Sequence, residues 1–182
     1  MLNIPNTLTL LRIAAIPAIV IALDAGRFGV ALALFVGAGV TDALDGAIAR
    51  LMQSRTDLGA YLDPLADKGL VLSLLLKLTA LGQVPRWALT IILTRDIVCL
   101  TGYALLFFLT GERIEVKPSL VGKLATFLQL SGIALALVVL FNADLAGAFP
   151  VPAIFALAAT ATAYAGVQYV LRGLRWYQAR PA

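Results

Sequence analysis

Four aspartates fall in one stretch of the chain, within or beside segments that are otherwise almost wholly apolar. The pattern is Asp42-x-x-Asp45-Gly46-x-x-Ala49-Arg50, then eight residues, then Gly59-x-x-x-Asp63-x-x-x-Asp67. Carboxylates inside a membrane span are expensive and rare. Four together need compensating positive charge, and a divalent cation carrying a phosphate-bearing ligand is the simplest source of it. Hard carboxylate oxygens suit Mg²⁺, Mn²⁺ or Ca²⁺. Four of them suffice for a two-metal site, which clamps the attacking and leaving oxygens of an in-line displacement at phosphorus. Arg50 is placed to meet a phosphate oxygen, where its planar fork suits bidentate contact. A carboxylate less engaged by metal could accept a hydroxyl proton.

These residues must be carried by helices. Each residue of an α-helix turns about 100°, so Asp42 and Asp45 share one face and Asp63 and Asp67 share another. Gly59 lies on the stripe of Asp63 and Asp67, while Gly46 and Ala49 lie close to Asp42. Small side chains at Gly46, Ala49 and Gly59 let a helix or a ligand approach closely. A short link joins the two helices, so the sequence predicts antiparallel neighbours whose acidic faces converge near a membrane surface. The structural alternative is that the acids merely pair with Lys68, Arg50 and Arg55, and their spacing with interleaved glycines argues against it. Asp57 sits in the link and reads as a solvated loop charge.

The rest of the chain reads as membrane protein. Of its 182 residues, 61% are hydrophobic, and the mean hydropathy is +0.94. A span needs about 20 apolar residues, so the length allows about six spans and no separate soluble domain. Apolar runs between polar or Gly/Pro breaks place helices at residues 7–23 (broken by Pro17), 30–49, 59–81, 87–110, 120–141 and 152–171. Residues 2–9 read as a short interfacial segment ahead of the first. The expected architecture is an all-α integral membrane protein with six transmembrane helices, in a single domain over residues 1–182.

Charge and composition narrow the function. The formal charge of +4 is too modest for a nucleic-acid footprint and fits topology signals and headgroup contacts. Arg12, Arg50, Arg55, Arg113, Lys117, Lys123, Arg172, Arg175 and Arg180 fall on one side of a six-span chain. Arg27 and Arg86 fall on the other, with Lys77 able to snorkel there. The positive-inside rule then puts both termini and the aspartate stretch at the cytoplasmic face. Trp87, Trp176 and Tyr177 read as interfacial anchors. Histidine is absent, which removes Ser-His-Asp and Cys-His catalysis and His-ligated zinc. A lone cysteine, Cys99, excludes an intrachain disulfide. The opening lacks a basic signal-peptide region and a transit peptide, so a bacterial inner membrane is the expected location.

The stretch from Asp42 to Asp67 resembles the signature of the CDP-alcohol phosphotransferases, D-x2-D-G-x2-A-R-x8-G-x3-D-x3-D, with every fixed position present. The resemblance implies a six-helix membrane enzyme that displaces CMP from a CDP-linked lipid or alcohol with a hydroxyl acceptor. It implies divalent metal, Mg²⁺ or Mn²⁺, on Asp42, Asp45, Asp63 and Asp67, with Asp67 also the general base. It implies a CDP pocket lined by Gly46 and Arg50, beside the small Ala49 and Gly59. A homodimer is also expected from the family.

The signature does not name the acceptor. The opening from Asn3 to Ile13, and Gly122-Lys123-Leu124-Ala125-Thr126-Phe127-Leu128-Gln129, resemble both phosphatidylglycerophosphate synthases and eukaryotic-type cardiolipin synthases, which use CDP-diacylglycerol. Arg95-Asp96-Ile97-Val98, followed by Lys117-Pro118-Ser119, looks more like the cardiolipin group, as does the last apolar run from Phe155 to Tyr169. Arg95 and Lys123 are the candidate acceptor-binding residues. The leading expectation is transfer to phosphatidylglycerol, and the alternative is transfer to glycerol-3-phosphate. Outside enzymes, an ion-coupled transporter or an inactive membrane scaffold would also carry buried acids.

Overall fold

The computed structural model describes residues 4–52, 57–111 and 119–178, with the side chains at 4–8, 43–52, 57–65, 107 and 177 outside that description. Six α-helices run in order: α1 (Ile4–Asp24), α2 (Phe28–Met52), α3 (Asp57–Ala80), α4 (Arg86–Thr110), α5 (Leu120–Phe141) and α6 (Val151–Gln178), with a short 3₁₀ turn, Ala143–Leu145, between the last two. No strand occurs among the described residues.

The breaks fall where glycine permits them. α1 ends in a Schellman turn: Arg27 N–H donates to the Ala22 carbonyl at 2.8 Å and Gly26 N–H to that of Leu23 at 3.2 Å, with Gly26 at φ 68°. That left-handed position is closed to most side chains and open to glycine. Gly82 does the same after α3, at φ 77°.

Three features differ from the sequence reading. Pro17 lies inside α1 and does not break it. The segment read as a separate interfacial piece is, from Ile4 on, the first part of the same helix. α6 also runs on to Gln178, because its last turns carry Arg172, Leu174 and Arg175, good helix formers in a stretch whose charges hydropathy alone reads as an end.

Two compact units emerge: residues 1–81 with 133–150, and residues 82–132 with 151–182, so α5 contributes to both. In the first, α1 packs against α2 and α3. In the second, α4 packs against α6. The buried positions are rich in alanine, including Ala22, Ala31, Ala38 and Ala66 in the first unit and Ala88, Ala125, Ala158 and Ala159 in the second. Many large apolar side chains point outward as well, with Leu100 at 71%, Phe108 at 83% and Leu120 at 84% exposure. Such a surface is unstable against water and natural against lipid, where small residues let helices approach and large ones meet acyl chains. Hydroxyls follow the same rule: Thr90, Thr101 and Thr160 each donate to a carbonyl one turn back on their own helix, so these three donors are not left facing hydrocarbon. Among the described residues, Arg86–Thr110, Leu120–Phe141 and Val151–Trp176 are long and apolar enough to cross a membrane, and α2 contributes a shorter apolar stretch, Phe28–Asp42.

Within the second unit, buried Gln129 donates its side-chain amide to Thr162 Oγ1 at 2.9 Å. That hydroxyl in turn donates to the Ala158 carbonyl at 2.6 Å. Gln129 of the shared sequence segment therefore ties α5 to α6. One turn on, a Cβ at Gly132 would lie 3.0–3.2 Å from the ring of Phe155, which is fully buried. Gly132→Ala is expected to destabilise the protein by about 1–3 kcal/mol, the usual cost of overpacking a ring that cannot retreat. Gly29→Ala is the control. Its Cβ would come as close to Phe141, but that ring is 61% exposed and can swing away. Thermal unfolding in detergent separates the two, and equal losses would contradict this reading.

Candidate active site

The acidic signature lies on α2 and α3. The sequence predicts these as neighbours, and the described contacts place α1 against each of them. The link between the two acidic faces is Arg12 of α1. Its Nη2 lies 2.6 Å from an oxygen of Asp42 on α2, and its Nη1 donates to an oxygen of Asp67 on α3 at 2.8 Å. Arg12 is 2% exposed, while the carboxylates of Asp42 and Asp67 are 54% and 53% exposed. The carboxylates thus have their backs to a buried cation and remain accessible on another side.

A second ion pair, Lys77 with Asp24, joins the same two helices α1 and α3. Residue numbers rise together across the two pairs, from 12 to 24 and from 67 to 77. The helices therefore run parallel, pinned at points about 15–18 Å apart at 1.5 Å per residue. A parallel α1–α3 pair with α2 between them in sequence is the arrangement of an up-down-up hairpin series.

Two sequence readings are corrected by these contacts. Arg12, read as a topology charge at the membrane surface, is buried and ion-paired. Lys77, read as a snorkelling residue, pairs with Asp24. The pattern that could have revealed Arg12 is its position inside an apolar run, where an unpaired guanidinium is costly. Nothing local names its partners, which lie on other helices. Of the other signature residues, Asp45, Gly46, Ala49 and Arg50 belong to α2, and Gly59 and Asp63 to α3. Asp57, read as a loop charge, opens α3. The side chains of these residues lie outside the described set. No group of three or more metal-ligating side chains occurs among the described residues. The two carboxylates that are described fit a divalent cation in kind: both are hard oxygen donors, both are accessible, and they are drawn from two helices to one point.

In the second unit, Arg95 of α4 pairs with its neighbour Asp96 at 2.9 Å, each about a quarter exposed. A pair between adjacent residues of one helix cannot lock two helices together. The arginine stem instead packs on α6, where a Cβ at Gly166 would come within 3.0 Å of Arg95 Cγ. Its Nη2 reaches to 3.8 Å of the Cβ position of Gly122 at the start of α5. Lys123, the next residue, is exposed. Arg95 thus reaches the backbone of α5 one residue before Lys123. Arg95 Nε is buried without a hydrogen-bond partner among the described residues. A groove of about 430 Å³ between α4 and α6 opens beside it, lined by Thr90, Thr94, Arg95, Val98, Gly166 and Val170 among others.

Comparison with known proteins places this arrangement. Residues 2–169 match the model of the CDP-alcohol phosphatidyltransferase family. A "Probable phosphatidylglycerophosphate synthase" of Mycobacterium tuberculosis (strain ATCC 25618 / H37Rv) is 39% identical over 182 residues, spanning 95% of this chain and 82% of that protein. The "CDP-diacylglycerol--glycerol-3-phosphate 3-phosphatidyltransferase" of Bacillus subtilis (strain 168) is 36% identical over 149 residues, 74% of this chain and 76% of that one. A "Probable cardiolipin synthase (CMP-forming)" of Drosophila melanogaster is 34% identical over 151 residues, 75% of this chain and 47% of that one. With its full acidic signature on α2 and α3 and a family match over nearly its whole length, the chain belongs to the CDP-alcohol phosphatidyltransferase family.

Proposed function

We propose that the protein transfers the phosphatidyl group of CDP-diacylglycerol to phosphatidylglycerol, forming cardiolipin and CMP. The family is one of phospholipid biosynthesis, is membrane-integral and generally uses divalent metal ions. The observation that carries the choice of acceptor is the groove beside Arg95. Of its described lining residues Arg95 alone is charged, and most of the rest are apolar. Phosphatidylglycerol brings one diester charge and two acyl chains, which matches one guanidinium over an apolar wall. Glycerol-3-phosphate is dianionic and has no chains, so it calls for more than one cation and no such wall.

Bound divalent cations, held by Asp42, Asp45, Asp63 and Asp67, would supply the charge that offsets the diphosphate. Gly46, Ala49 and Gly59 leave room for the CDP moiety, and Arg50 meets a phosphate oxygen. Asp67 takes the proton from a terminal glycerol hydroxyl of phosphatidylglycerol. The hydroxyl oxygen forms a bond to the phosphorus that carries diacylglycerol, the bond from that phosphorus to the bridging oxygen breaks, and CMP leaves with the bridging oxygen. The protein's contribution is positioning and electrostatics. Isolation of a covalent phosphatidyl-enzyme would contradict direct displacement. In this reading all six helices cross a bacterial inner membrane, both termini and the acidic site face the cytoplasm, residues 1–182 work as one domain, and the protein is a homodimer.

A second reading, phosphatidylglycerophosphate synthase, is favoured by the relative of that name that spans 95% of the chain. The discriminating experiment is CMP release by purified protein given CDP-diacylglycerol, Mn²⁺ and one acceptor at a time. Release with phosphatidylglycerol alone supports the first reading, and release with glycerol-3-phosphate alone replaces it with the second. Release with neither acceptor directs attention to other alcohols, and then to a transporter or an inactive scaffold. Arg95→Ala should raise the acceptor concentration for half-maximal rate by about ten- to a hundredfold, the loss of one charge-assisted contact. The requirement for CDP-diacylglycerol should change little. Equal effects on both substrates would remove Arg95, and with it Lys123, from the acceptor site.

A further inference from the structure

The contacts of Arg12 go beyond what a topology charge or a simple helix lock requires. One buried guanidinium, 2% exposed, engages a carboxylate on α2 through Nη2 and a carboxylate on α3 through Nη1, while both carboxylates stay half-exposed. We infer that Arg12 is a positioning residue for the acidic site: it sets the spacing and orientation of Asp42 and Asp67 before a divalent cation binds, by holding each carboxylate from the buried side. This rests on the reading of Asp42 and Asp67 as metal ligands.

The chemistry of arginine makes the role specific. Its planar fork presents donors in fixed directions, so one side chain can address two acceptors at a set separation. Two like-charged carboxylates brought together on separate helices repel, and a shared cation behind them removes that penalty. A second anchor, Lys77 to Asp24 on the same two helices, keeps α1 and α3 from sliding past each other, so the fork meets Asp67 at a constant level. Lysine at position 12 would keep the charge and lose the fork. Glutamine would lose the charge and keep one donor group.

Mn²⁺ binding to the purified full-length protein in detergent, read from the loss of the free-Mn²⁺ electron paramagnetic resonance signal with no lipid substrate present, tests this directly. Thermal unfolding without metal is measured in parallel. Arg12→Lys is expected to bind Mn²⁺ about ten-fold more weakly than wild type and Arg12→Gln more weakly still, the range seen when a group that orients a metal ligand is removed. The Mn²⁺ concentration for half-maximal CMP release should rise by the same factor, with the rate largely recovered at saturating Mn²⁺. Unchanged Mn²⁺ affinity in both variants, with only a lower unfolding temperature, would reduce Arg12 to a helix lock and overturn the inference. Tighter Mn²⁺ binding in Arg12→Gln would also overturn it, since the arginine would then merely compete with metal. Failure of both variants to fold would overturn it too, because folding would be what the arginine serves. Absence of Mn²⁺ binding by the wild-type protein would instead refute the metal reading on which the inference stands.

Discussion

Asp67→Asn is expected to lower CMP release from CDP-diacylglycerol by about a thousandfold or more, because it removes a general base, itself worth about 10²–10⁴, and a metal ligand together. The fold should survive the change. The asparagine side chain keeps an oxygen that can accept from Arg12 Nη1, now 2.8 Å from Asp67, and Asp42 remains 2.6 Å from Nη2 to balance the charge. Removing one partner of a buried ion pair costs about 3–5 kcal/mol when the charge is left uncompensated. Here compensation persists and Asp67 is half-exposed, so the loss should be well below that range. The measurement is single-turnover CMP release alongside thermal unfolding. A variant that keeps a tenth of the wild-type rate would sink Asp67 as base. A variant that fails to unfold cooperatively would move the residue from chemistry to architecture.

Chelation is expected to have a comparable effect on rate and a very different one on stability. EDTA should reduce CMP release to background, and excess Mn²⁺ or Mg²⁺ should restore it fully. The protein should remain folded throughout, because Arg12 already joins α1 to the carboxylates of α2 and α3. Metal at a hundred times its dissociation constant would add about 2.7 kcal/mol by mass action, a shift in unfolding temperature of about 5–11 °C for a chain of this length. A site assembled by metal alone would behave otherwise, with chelation unfolding the α1–α3 unit. Undiminished CMP release in EDTA would remove divalent metal from the reaction.

Much of the molecule is legible in its residues. Apolar runs long enough to bury a backbone in lipid, interrupted by glycine and proline, mark six helices, and the observed ends agree with the expected ones to within a few residues at most positions. The exceptions have local causes. Pro17 reads as a break, yet α1 runs through it, since a proline inside a helix removes one backbone hydrogen bond and can kink the helix without ending it. The extra turns of α6 are amphipathic and basic, and hydropathy discounts them. The acidic signature and its place on α2 and α3 are also legible, because helical periodicity alone puts Asp42 beside Asp45 and Asp63 beside Asp67.

The residues by themselves determined the helices, the family and the kind of chemistry, since each depends on neighbours within a turn or two or on a contiguous pattern. The partners of Arg12 were decided only by the tertiary structure. An arginine in an apolar run announces that it must be paired, but Asp67 lies 55 positions away, and local periodicity carries no information about which face of a distant helix will turn toward it. The same holds for Arg95. Its pairing with Asp96 is visible in sequence, whereas its packing on Gly166 of α6, where a glycine leaves space for the arginine stem, and its reach to Gly122 of α5 follow from the way the three helices approach one another.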